Sequence, residues 1–147
     1  MKTVLKLIGL VIVLNLVRYF VGGPIEGFTI MEPMHRVMPM YPNTFDNDFT
    51  SADFAISLVY NYLMWFWAAV VFHLIHPQLK GPFWWKSLQG YWLMGLFFCS
   101  LAAVYMNHYV DAIKPFFIWS MVDAAIVFTV VGFANALFYP LFFRKKK

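Results

Sequence analysis

The chain has 147 residues, of which 62% are hydrophobic, 21% are aromatic and only 12% are charged. A soluble domain carries about 25% charged residues, and a globular chain of this length buries only about two-thirds of its surface, so this apolar content cannot all be hidden from water. Composition therefore excludes a soluble enzyme, a disordered chain and a nucleic-acid binder, and the single cysteine excludes an intrachain disulfide scaffold. We expect a small integral membrane protein.

The first predicted element is a membrane-spanning helix over residues 4–21. Lys6 and Arg18 are its only charged residues, and both lie close enough to an end for their side chains to reach the interface. Lys2 and Lys6 resemble the basic start of a secretory signal, but no cleavage site of small residues follows the apolar run. We therefore interpret this segment as an uncleaved helix.

Residues 22–52 are predicted to form one long outer loop. Gly-Gly-Pro, Glu-Pro, Met-Pro and Tyr-Pro sequences interrupt it, and no strong periodicity runs through it. A loop of this length is usually functional or packed on the body of the protein. Its apolar content favours packing, so we expect 28–41 to lie at the outer interface as a short broken helix or lid.

Three further spans follow from long gaps between charged residues, because a charge at the bilayer centre costs about 3 kcal/mol. No charge lies between Asp53 and Lys80 or between Lys86 and Asp111. From Lys114 to the basic C-terminus only Asp123 interrupts the gap. Because about 20 residues cross the hydrocarbon, we place helices at 54–74, 89–108 and 115–138. The predicted fold is all-α: a single domain, 1–147, built as a four-helix transmembrane bundle with the outer loop packed as a lid.

Orientation follows from the distribution of basic residues. Four crossings put eight of them on one side, without any acidic residue: Lys2, Lys6, Lys80, Lys86, Arg144, Lys145, Lys146 and Lys147. The positive-inside rule then predicts that both termini are cytoplasmic. We expect a bacterial inner membrane, although Lys145 also resembles a dilysine retrieval signal of eukaryotic secretory membranes.

Polar residues inside the spans predict a layer in the outer half of the bundle. Asn15, Asn61, Ser100 and Asp123 each lie seven or eight residues from the outer end of their helix, about 10 to 12 Å below the surface. Intramembrane polar groups usually face the bundle interior. We therefore expect an outward-opening pocket with Asp123 at its floor and Arg18 at its rim, where the two side chains could pair. The candidate ligand-binding residues are Asn15, Arg18, Asn61, Ser100, Asn107, Trp119 and Asp123. Alternatively, these residues are interhelical hydrogen-bonding glue.

The outer loop also contains soft metal ligands. Thioethers and an imidazole suit Cu(I), and the candidate ligands are Met31, Met34, His35, Met38 and Met40. Methionine is also a general filler of irregular apolar contacts, which is the alternative interpretation. No other cofactor is predicted, because His73 and His108 lie nearly a membrane thickness apart and cannot ligate one haem.

The leading functional hypothesis is a membrane protein whose outward pocket binds a lipid-soluble ligand or a proton-linked substrate. A different hypothesis is an accessory subunit of a larger respiratory, photosynthetic or oxygenase-type membrane complex. A third is an acid-base isomerase of an isoprenoid-like substrate, with Asp123 and His108 as the acid-base groups. The expected partners are membrane lipids and either other membrane subunits or further copies of the chain, with no nucleic acid.

Overall fold

The computed structural model describes residues 1–44, 50–109 and 114–143, and the side chains of 107–109 are outside this description. Every regular element in these ranges is helical. Short connecting segments have π-helical geometry at Arg18–Gly22 and 3₁₀ geometry at Met38–Met40. The α-helices are α1 (Lys2–Val17), α2 (Gly23–Thr29), α3 (Met31–Val37), α4 (Ser51–Ile75), α5 (Phe83–Tyr109) and α6 (Lys114–Phe143).

Four helical rods are long and apolar enough to cross a membrane. They are Lys2–Thr29, Ser51–Ile75, Phe83–Met106 and Lys114–Phe143. The first combines α1, the π-helical segment and α2, so the helix continues for about two turns beyond residue 21, where the sequence predicted its end. The third and fourth rods are longer than predicted, because the aromatic run at Phe83 belongs to α5 and α6 continues through Pro140 to Phe143. The all-helical character of the fold and the presence of four candidate membrane spans are confirmed.

The first rod continues past Gly-Gly-Pro because the backbone changes its hydrogen bonding there. Proline has no N–H to donate and its ring displaces the carbonyl four residues earlier, so an unbroken α-helix is disfavoured at Pro24. A π turn accommodates this change just before the proline: Gly23 N–H donates to Arg18 O, five residues back. Pro24 then occupies the first turn of α2, where a missing N–H is tolerated.

The rods form an antiparallel bundle in which each packs beside its sequence neighbour and α6 closes against α1. The direction of α4 against α6 is fixed by Trp65 and His73, which contact Phe128 and Tyr139 in the same order, and that of the first rod by Gly9 and Gly22, which lie beside Phe142 and Val130 in the opposite order. Contacts between Ser87 and Gly132, and between Cys99 and Met121, do the same for α5 against α6. Consequently the start of α1, the end of α4, the start of α5 and the end of α6 meet at one end of the bundle, here named the terminal end. The opposite end is named the loop end.

Aromatic rings occupy the centre of a core whose other buried residues are Leu, Val and Ala. Trp65, Phe72 and Tyr91 are fully buried, and the Trp65 ring lies 5.1 Å from Phe128 across the bundle. Phe72 contacts Tyr139 edge-on at 5.4 Å. Large rings from facing helices therefore fill the centre, where they bury more area than aliphatic side chains would.

A buried polar contact and a glycine hold α5 close to α6. Ser87 Oγ donates to Gly132 O at 2.7 Å, and Asn135 Nδ2 donates to Ser87 Oγ at 2.8 Å. A Cβ on Gly132 would lie only 3.2 Å from Leu88 Cδ2. Small residues allow membrane helices to approach in this way, so α5 and α6 form the most closely packed pair.

Large apolar side chains cover the outside of the bundle. Phe97 is 71% exposed on α5 and Leu137 is 70% exposed on α6. Water would disfavour such a surface, whereas lipid matches it. The apolar exterior therefore agrees with the four candidate membrane spans.

Candidate functional site

Asn15 and Asn61 form the centre of a hydrogen-bond network between α1 and α4. Asn61 Nδ2 donates to Asn15 Oδ1 at 2.8 Å and to the Tyr19 hydroxyl at 3.1 Å. Trp65 Nε1 donates to Asn61 Oδ1 at 3.0 Å. Asn15 is fully buried and also donates to Val11 O. These two predicted residues therefore do lie at one depth, and their amides are largely occupied by one another and by nearby side chains.

Arg18 pairs with Glu26 rather than with Asp123, the partner suggested by the sequence. Its Nη2 lies 3.1 Å from Glu26 Oε2, and the two side chains are 21% and 10% exposed. Residues eight apart are offset by about 80° around a regular α-helix. The intervening π turn holds more residues per turn and reduces that offset. The sequence placed Glu26 in a loop, so this pairing was missed.

The Glu26 carboxyl group lies beside Gly22. A Cβ at this glycine would lie 3.4 Å from Glu26 Oε1 and 3.9 Å from Val130 Cγ1. The carboxyl group therefore lies between the first rod and α6.

A cavity of about 210 Å³, here named the Asp123 cavity, lies where the first rod, α4, α5 and α6 converge. It contains three of the predicted site residues, Arg18, Asn61 and Asp123, together with Ser120, which lies one turn before Asp123 on α6. The remaining wall is apolar. The lining residues are Arg18, Asn61, Met64, Trp65, Phe98, Ser120, Asp123, Ala124, Val127 and Phe128.

Asp123 has an unsatisfied oxygen at this cavity. Its Oδ1 is buried and accepts no hydrogen bond from any residue that the structure describes. The Ser120 hydroxyl donates to Phe116 O at 3.0 Å, so its proton is directed elsewhere. A buried acceptor without a donor is costly in a low-dielectric interior, so the arrangement favours a donor that comes from outside the bundle.

The other candidate residues occupy different positions. Asn15 is hydrogen-bonded to Asn61 but is absent from the cavity wall. Ser100 is exposed on the outer surface of α5, and Trp119 is half-buried on α6 outside the wall. The side chains of Asn107 and His108 lie outside the described residues. Ser100 therefore lies outside the Asp123 cavity, because its depth along α5 matches the other residues but its helical face does not.

The methionine-rich segment is only partly brought together. His35 and Met38 line a surface cavity of about 320 Å³ together with Pro39 and Pro42. Met31 and Met40 are exposed, and Met34 is half-buried. Within the described ranges no three His, Cys, Asp or Glu side chains form a metal-binding group. The wall of this surface cavity thus contains one imidazole, that of His35, and one thioether, that of Met38.

A second polar cluster lies at the terminal end. His73 Nδ1 and the Tyr139 hydroxyl are 2.6 Å apart, and His76 Nδ1 lies 2.9 Å from His73 O. A backbone carbonyl only accepts, so His76 carries its proton on Nδ1. The Phe143 ring packs 4.7 Å from that of His73. These histidines are therefore held by the bundle's own groups.

Comparison with protein-family models, with characterised proteins and with solved structures finds no significant match to this chain. Function must therefore be inferred from the side chains themselves, and the Asp123 cavity offers the most chemically specific arrangement among those described.

Proposed function

We propose that this protein binds a lipid-soluble small molecule in the Asp123 cavity. The observation that carries the proposal is the buried, unbonded Asp123 Oδ1 in a chamber otherwise walled mainly by aromatic and aliphatic groups. Ligand sites are typically apolar chambers with a few polar groups that fix orientation. An ionisable residue within a membrane span also has a functional role by default. The ligand's polar end would meet Asp123 and its apolar body would lie against the rings.

The proposal includes an orientation in a bacterial inner membrane, with both termini cytoplasmic and the cavity nearer the outer side. Lys2, Lys6, Lys80 and Lys86 support it, because they lie at or near the terminal end, where basic residues favour the cytoplasm. Asp123 lies in the half of α6 nearer the loop end. In this orientation α3, which packs against α6, covers part of the outer end of the bundle.

Filling the cavity provides the test. Ala124 is 9% exposed and lines the cavity, whereas the adjacent Ala125 is exposed and lines a separate groove between α5 and α6. We expect a lipophilic compound to co-purify with the wild type and with Ala125→Leu, and to be lost from Ala124→Leu. Solvent extraction of each purified protein followed by mass spectrometry measures this difference.

The Ala125→Leu variant separates loss of ligand from loss of fold, because both variants add the same side chain to neighbouring positions of α6. Each variant is first checked for helical content and for a single size-exclusion peak. If Ala124→Leu keeps its fold and retains the same extracted compounds as the wild type, the cavity is not the binding site.

A second candidate function is that of an accessory subunit in a larger membrane complex. Ser57 and Ser100 favour it, because both are exposed on the outer surface of their spans. Serine hydroxyls on a lipid-facing surface are typical of contacts with a neighbouring helix. We expect Ser57→Leu and Ser100→Leu to release a stoichiometric partner in mild detergent, measured by native mass spectrometry. Release of a second copy of this chain would indicate a homo-oligomer.

A further inference from the structure

The charged groups around the Asp123 cavity are unequal in number. Arg18 is paired with Glu26, and Asp123 forms no ion pair with any described basic residue. Arg18 and Asp123 nevertheless line the same cavity. One guanidinium therefore faces two carboxyl groups. When all three groups are ionised, the site carries a formal charge of −1.

The hydrogen-bond donors of the cavity wall are mostly directed elsewhere. Both N–H groups of the Asn61 amide are donated, and the Trp65 N–H is donated to Asn61 itself. Ser120 donates to its own helix. Glu26 Oε1, like Asp123 Oδ1, is buried without a donor among the described residues. Arg18 brings further N–H groups to the wall, but none of the described donors reaches Asp123 Oδ1, which is thus the acceptor left for a ligand.

The aromatic walls of the Asp123 cavity are suited to a ligand that contains an apolar ring. Trp65, Phe98 and Phe128 line the cavity, and the electron-rich face of an aromatic ring attracts a cation. A cavity of about 150 Å³ holds benzene. At about 210 Å³ the Asp123 cavity has room for one such ring and a short polar arm.

We propose that the Asp123 cavity selects a lipophilic primary amine with one ring and a short alkyl arm, whose ammonium group binds Asp123. This inference rests on the proposed function. An ammonium group supplies the hydrogen-bond donor that Asp123 lacks and the positive charge that balances its carboxylate, because it has three N–H donors and one positive charge. A neutral alcohol of the same shape supplies a single donor, and a carboxylate adds a further negative charge.

The test uses three probes of nearly the same shape: 2-phenylethylamine, 2-phenylethanol and phenylacetate. Each is titrated at neutral pH into the full-length protein in a non-ionic detergent, with binding followed by saturation-transfer NMR. Both probes can donate a hydrogen bond to Asp123, but only the ammonium group adds an opposite charge and further donors, so the amine should bind at least about tenfold more tightly than the alcohol. Phenylacetate should bind most weakly.

Variants test whether the preference for the amine over the alcohol depends on Asp123. Asp123→Asn should bring the Kd values of the amine and the alcohol within about twofold of each other, mainly by weakening the amine. Glu32→Gln is the matched control, since this exposed carboxylate pairs with Arg36 on α3, away from the cavity wall. It should leave both Kd values unchanged. Ala124→Leu should weaken the binding of both probes, and the signal that remains in this variant measures their partitioning into the detergent.

The wild-type series is decisive even if Asp123→Asn fails to fold. Equal affinities for amine and alcohol, both lost in Ala124→Leu, would refute selection of a cation and leave the cavity as a ligand site. Signals that are the same in the wild type and in Ala124→Leu for all three probes would overturn the proposed function as well.

Discussion

Replacing Asn61 by leucine should destabilise the bundle measurably, because this side chain links α1 to α4. Leucine has a similar size and removes three hydrogen bonds: those with Asn15, Tyr19 and Trp65. Asn15 and Trp65 are fully buried, so water cannot replace the lost partner at either group.

The expected magnitude follows from these bonds. Side-chain hydrogen bonds between membrane helices contribute about 0.6 kcal/mol each on average and at most about 1.7 kcal/mol. Three bonds together give a loss of about 2 kcal/mol in the free energy of unfolding. A double-mutant cycle with Asn15→Leu isolates the 2.8 Å amide contact, for which we expect a coupling energy of about 0.6 to 1.7 kcal/mol.

The assay is an equilibrium titration with sodium dodecyl sulfate in mixed micelles, followed by tryptophan fluorescence, because Trp65 is buried in the folded bundle. Ser57→Ala is the control, since Ser57 lies one turn before Asn61 on α4 and is exposed. A loss below about 0.5 kcal/mol for Asn61→Leu, with no coupling to Asn15, would refute the view that this network stabilises the bundle.

Two further predictions concern the packing of the rods. Gly132→Val should lower the free energy of unfolding by about 1 to 3 kcal/mol in the same titration, because the added carbons overlap Leu88 and Tyr91, whereas Gly27→Ala, which meets open space, should have little effect. An unchanged midpoint for Gly132→Val would mean that α5 and α6 tolerate a wider spacing. Glu26→Gln should destabilise the bundle by about 2 kcal/mol because it removes the carboxylate that pairs with the partly buried guanidinium of Arg18, while Glu32→Gln breaks an exposed pair and should cost less than about 1 kcal/mol. Equal effects of the two glutamine variants would show that the Arg18–Glu26 pair has no special stabilising role.

The polar layer shows how far sequence position can locate a site. Asn15 and Asn61 were predicted at one depth from their distance to the helix ends, and they are hydrogen-bonded to each other. Arg18, Asn61 and Asp123 share a cavity, as their depth suggested. Ser100 does not, because depth fixes only the position along a helix. The direction in which a residue faces depends on how the whole helix is rotated against its neighbours.

The sequence by itself determined a helical fold with four rods long and apolar enough to cross a membrane, because the spacing of charges and the thickness of a bilayer are sufficient for that inference. Only the tertiary structure decided the partner of Arg18. The pairing with Glu26 depends on a π turn before Pro24, which does not follow from hydrophobic periodicity. With Arg18 held by Glu26, Asp123 is left without an ion-pair partner among the described residues, which is the feature that gives the cavity its proposed preference for a cation.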